Sequence, residues 1–100
     1  MSAKKCLVHD IVLIELEYFL RKNLGLARSE VAQNLRALVN TFTVIGYVSE
    51  EVVRDYERYG SVSFVDIILC ASASVNKSKL ITHDKELLKK YPSSTVKLDL

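Results

Sequence analysis

The 100-residue chain is predicted to be α/β, with a small parallel sheet of about four strands flanked by helices. Two observations predict it. Short apolar runs rich in β-branched residues alternate with longer segments whose apolar residues recur at helical spacing. The order read along the chain is β-α-α-β-α-α-β-α-β, and strands separated by helices favour parallel pairing with helices on both faces. The length fits one domain, residues 1–100, and 49% apolar content is enough for a core.

Each element has a local reason. Residues 5–9 contain the run CLVH and read as a buried strand, after which Asp10 caps a helix from Ile11 to about Asn23 that stops at Gly25. A second helix, about Arg28 to Asn40, carries Val31, Leu35, Leu38 and Val39 on one face. Phe42 to Val48 reads as a strand. Ser49 opens a helix to Tyr59 with Glu50 and Glu51 in its first turn, and Gly60 ends it. Ser63 opens the next, to about Asn76. Lys79 to Thr82 is a strand, Asp84 to Lys90 a short helix broken by Tyr91-Pro92, and Thr95 to Leu98 a last strand.

The net charge of +2, with Lys4, Lys5, Arg21, Lys22, Arg28, Lys77, Lys79, Lys85, Lys89 and Lys90 scattered, is too weak to mark a nucleic-acid footprint. A solvated surface is expected. Cys6 and Cys70 fit neither zinc nor redox spacing and are expected as small buried hydrophobes. Residues 1–5 lead into no signal-peptide pattern, and the most apolar run, Val62 to Val75, is too short for a bilayer. The expectation is a soluble intracellular, cytoplasmic protein with no membrane partner.

Chemistry is expected at three acids. Glu15 lies in HDIVLIELEYFL, Asp66 in VSFVDIILCA, and Asp84 ends KLITHD. On a helix Glu15 neighbours Ile11, Val12, Tyr18 and Phe19, so a pocket carboxylate is expected; Glu17 instead has Arg21 four residues on and offers an ordinary pair. Asp66 neighbours Val62, Ser63, Leu69 and Cys70, and Ser63-x-x-Asp66 also reads as a capping box. Asp84 follows a strand, where ligands of parallel sheets bind, and equally reads as a helix cap. Asp10 is expected only to cap, and His9 and His83 to be surface residues. A buried carboxylate protonates, pairs or binds a cation, and three hard-oxygen groups at one sheet edge suit Mg²⁺ or Mn²⁺. Ser63 and Thr82 could orient the acids or a water.

The segments VLIELEYFLRKNLGLARSEVAQNLRALV, SVSFVDIILCASA and KLITHDKELLKK resemble the second half of PIN-domain proteins, a family that includes the VapC-type toxins of toxin–antitoxin pairs. The likeness runs from about Cys6 to Leu98. It implies a metal-dependent endoribonuclease, a hydrolase of RNA, with Glu15, Asp66 and Asp84 as both catalytic acids and metal ligands. It also implies as partners RNA and an antitoxin-like protein. One departure stands out: the family's opening strand, which ends in an acid and sits mid-sheet, has no counterpart in residues 1–10. A chain shortened at its N-terminus would bind metal less well and leave a gap in the sheet; CLVH pairing directly with LIT, a second chain that donates or covers an edge, or a longer true chain would each repair it, and a homodimer is expected. An inactive remnant of the family serving as a protein-interaction or dimerisation module is the alternative.

Overall fold

The computed structural model describes residues 6–99. The expected start of the first strand at Lys5, and the charges of Lys4 and Lys5, lie outside the described residues. The elements are β1 (Leu7–His9), α1 (Asp10–Tyr18) continued by a π-helical turn (Phe19–Asn23), α2 (Arg28–Thr41), β2 (Thr43–Ile45), α3 (Glu50–Arg58), α4 (Phe64–Val75), β3 (Leu80–Thr82), α5 (Lys85–Lys90) and β4 (Thr95–Lys97). This is the expected α/β order. The strands are shorter than expected and form two separate pairs rather than one sheet. β1 lies parallel to β2 with Val8 opposite Val44, and β3 parallel to β4 with Ile81 opposite Val96.

Helix ends follow the capping rules. Ser49 accepts from the Val52 N–H at 3.3 Å, Ser63 from the Asp66 N–H at 3.1 Å, and Asp84 from the Leu87 N–H at 3.1 Å. The cap of α1 differs from expectation: His9 Nδ1 accepts the Ile11 N–H at 3.1 Å. Asp10 is the first helical residue instead. It is buried, and its two carboxylate oxygens accept the Tyr47 N–H at 2.7 Å and the Val48 N–H at 3.0 Å. Those bonds tie the β1–α1 junction to the chain leaving β2, just past the last strand pair, His9 opposite Ile45. Gly46 takes φ +131°, and a Cβ built there would meet the Asp10 carboxylate at 2.2 Å.

The core is mainly helical. Leu13 of α1, Val31 and Leu35 of α2, Val53 and Tyr56 of α3, and Phe64 and Ile67 of α4 are fully buried in one cluster. α2 packs on α3, and α3 on α4. Tyr56 and Phe64 meet edge to face at 5.2 Å. Cys70 is buried among these residues, and burial pushes its thiol up to about 11, with Asp66 adding to the rise. Neither cysteine forms a disulfide. Among the described residues no helix is long and apolar enough to cross a membrane.

Candidate functional site

The three acids occupy the expected elements but not the expected surroundings. Glu15 is exposed, because the stripe it shares with Ile11, Val12, Tyr18 and Phe19 faces outward. The buried face of α1 carries Asp10, Leu13 and Glu17, continued by Leu20 in the π turn. The pocket environment expected for Glu15 is therefore not found. Asp66 is half-buried in the first turn of α4, between buried Cys70 and exposed Leu69. Its backbone N–H goes to Ser63, the capping half of the expected box, and its charge lies at the positive end of the helix dipole. Asp84 is exposed and caps α5, with Thr82 Oγ1 accepting the Asp84 N–H at 3.1 Å.

Among the described residues no group of three His, Cys, Asp or Glu side chains is close enough to hold a metal ion. The donor chemistry of Glu15, Asp66 and Asp84 suits a hard cation. Their placement does not, since the fold leaves them apart. Neither of the two main surface hollows includes any of the three. One hollow lies between α3, α4 and the β2–α3 loop, lined by residues such as Tyr47, Asp55, Cys70 and Tyr91. The other lies beside α1, lined by residues such as Glu17, Arg21, Arg28 and Ser63.

A larger polar cluster surrounds the Glu17–Arg21 pair. Glu17 is buried and accepts from Arg21 Nε at 2.8 Å and from the Tyr56 hydroxyl at 2.8 Å. The i, i+4 pair was legible, but Tyr56 was not, since it lies 39 residues further on. Arg28 also turns inward instead of joining the solvated surface. Its guanidinium stacks 4.0 Å from the Tyr56 ring centroid and donates to the carbonyls of Tyr56, Tyr59, Gly60 and Val62. Burial lowers its pKa below the ordinary arginine range, though its charge remains. This cluster ties α1, α2 and α3 together and aims no unpaired group at the hollow beside it, so its evident work is structural.

A buried phenol, Tyr56, and a half-buried one, Tyr91, give a pH dependence. Burial first, and then a carboxylate acceptor, pushes up the hydroxyls of Tyr56 (against Glu17) and Tyr91 (against Asp55, 2.8 Å) from the ordinary value of 10.0. Raised folded-state pKa values favour folding fully below pH 10. That contribution is lost as pH climbs beyond 10, because the unfolded tyrosines ionise first. The midpoint of thermal unfolding is expected to fall between about pH 10 and about pH 12, and Tyr91→Phe should flatten the fall. A midpoint constant across that window would refute this coupling.

The alternating order and the two parallel strand pairs define a small α/β domain. The PIN domain family model matches residues 1–92. The chain belongs to the PIN domain family. No individual curated protein and no solved structure matches it.

Proposed function

We propose that this chain acts on RNA as a metal-dependent endoribonuclease of the PIN lineage, working as one domain over residues 1–100 in the cytoplasm. The observation that carries the reading is the family match over residues 1–92, with Glu15, Asp66 and Asp84 standing in the family's order within it. In this reading Glu15, Asp66 and Asp84 are the catalytic acids and the ligands of Mg²⁺ or Mn²⁺. The ion, when bound, would supply a more acidic water and offset charge on the phosphate. The acids stand apart in this structure, so no step through the ion follows from it. What the chain's own residues do is limited and specific. Ser63 fixes the backbone turn that carries Asp66, and Asp84 is held by its cap.

A second reading has its own support. The exposed apolar residues of α1 and the separation of the acids favour a protein-interaction module that engages an antitoxin-like partner or a second copy, with no chemistry of its own. Calorimetric titration of Mn²⁺ into the full chain separates the two. The nuclease reading expects binding that vanishes in Asp66→Asn, together with Mn²⁺-dependent cleavage of single-stranded RNA. A folded chain that binds no Mn²⁺ overturns that reading and leaves the interaction module. Asp66→Asn should itself cost less than about 1 kcal/mol, since only the charge at the helix start is lost.

A further inference from the structure

We propose that the hollow between α3, α4 and the β2–α3 loop is a binding site for a small organic cation, a protonated amine carried on an apolar body. Glu15, Asp66 and Asp84 do not line this hollow, so the site is independent of the nuclease reading.

The hollow has the make-up of a ligand pocket. Its volume is about 470 Å³, in the range that encloses small molecules. Four segments wall it: the loop after β2, α3, α4, and the chain between α5 and β4. The floor is apolar, with Val48, Val52, Ile67 and Cys70 all buried. Nearer to water stand two tyrosines and two acids: Tyr47 and Glu51 are exposed, Asp55 and Tyr91 half-buried. Hydrogen bonds fix both tyrosines. The Tyr47 hydroxyl accepts from Asn76 Nδ2 at 3.1 Å, and the Tyr47 N–H donates to Asp10 at 2.7 Å. The Tyr91 hydroxyl donates to Asp55 at 2.8 Å, and its ring meets Tyr59 edge-on at 5.8 Å. Walls already held in place lose less freedom when a ligand binds.

Charge selects the occupant. Glu51 and Asp55 make no ion pair among the described residues. No described Lys, Arg or His lines the hollow. An anion would meet repulsion there with nothing to offset it, and a neutral molecule would leave both acids unused. A bare metal ion needs several converging oxygens, whereas among the described residues no group of three His, Cys, Asp or Glu side chains comes together. A protonated amine on an apolar body uses every wall. Its ammonium group donates charge-assisted hydrogen bonds to the acids and is attracted to the tyrosine rings, and its body covers Val52 and Ile67.

Amide chemical-shift titration by NMR on the full chain, without metal or RNA, tests this apart from any nuclease activity. Three probes share a phenyl body at neutral pH: phenethylammonium, phenethyl alcohol and phenylacetate. Phenethylammonium is expected to shift the amides of Tyr47, Val48, Cys70 and Ser74 saturably, with a Kd of about 1 mM or tighter. The alcohol should bind at the same amides about tenfold more weakly or worse, and phenylacetate should not bind. Asp55→Asn keeps an acceptor for Tyr91 and removes the charge, and Glu51→Gln changes an exposed side chain. Each should weaken the amine by about threefold to tenfold and leave the alcohol unchanged. Circular dichroism checks the folds, and Glu51→Gln carries the test if Asp55→Asn fails to fold. The proposal is overturned by the lack of a saturable shift at those amides, by equal binding of the three probes, or by unchanged amine affinity in every variant that folds.

Discussion

Arg28→Met is expected to cost the fold at least about 3 kcal/mol, because several carbonyls lose their donor at once. Arg28 donates to the carbonyls of Tyr56, Tyr59, Gly60 and Val62, at the end of α3 and along the connection into α4, and of these the Tyr59 carbonyl also accepts the Val62 N–H at 2.9 Å. Methionine keeps much of the stem's packing and removes every donor. The cation over the Tyr56 ring is lost as well. Against a total stability of about 5–15 kcal/mol this is a large fraction. Urea unfolding should show it as a midpoint lowered by about 1.5 M or more, for a slope near 2 kcal/mol/M. Arg28→Lys should rescue little, since an ammonium group lacks the planar fork that spans the carbonyls. A midpoint shift under about 0.5 M in Arg28→Met would show that water replaces the guanidinium at little cost.

The second large effect is expected at Gly46→Ala, about 2–4 kcal/mol, and it should depend on Asp10. The new Cβ would fall within 2.2 Å of the Asp10 carboxylate, and φ +131° is a conformation that side chains resist. Asp10 would have to give up its bonds to the Tyr47 and Val48 N–H groups. Asp10→Ala loses those bonds by itself but opens the space. The two substitutions should therefore be strongly non-additive: Gly46→Ala costs much less in the Asp10→Ala background, keeping only its backbone strain. Chemical unfolding of the four proteins of the cycle measures this. Additive costs would mean that the clash is relieved elsewhere.

The local signals in the sequence were reliable, and the distant ones were not visible. Ser49, Ser63 and Asp84 cap the helices that their positions suggested, because a cap is a contact over two or three residues. Gly25, at φ +66°, ends the first helical segment as expected. The position of Asp10 after a strand predicts a cap there, whereas its partners lie 37 and 38 residues on. The inner face of α1 was misjudged for a related reason. Ile11, Val12, Tyr18 and Phe19 form an apolar stripe as convincing as the one through Leu13 and Leu20, and only packing against α2 and α4 decides between them. The choice sends Glu17 inward to Tyr56 and leaves Glu15 outside. Of the candidate site, the elements that carry the three acids were legible. Whether they converge is not legible there, since that depends on how the strands are arranged, and among the described residues they form no group of three.

The division of the strands into two pairs also bears on where this molecule is loose. Each strand is three residues long and makes hydrogen bonds to one neighbour, so a few bonds hold each ladder, and Leu7 and Ile81 on the strands lie largely in water. The helices α2, α3 and α4 instead hold fully buried side chains. Local opening free energy follows buried contacts, so the ladders belong to the easily opened part of the native ensemble and the three helices to its last-opening part. In most parallel α/β proteins the sheet is the innermost layer. Here the fully buried side chains lie on the helices, and backbone amide exchange is expected to be faster in the strand ladders than in α2, α3 and α4.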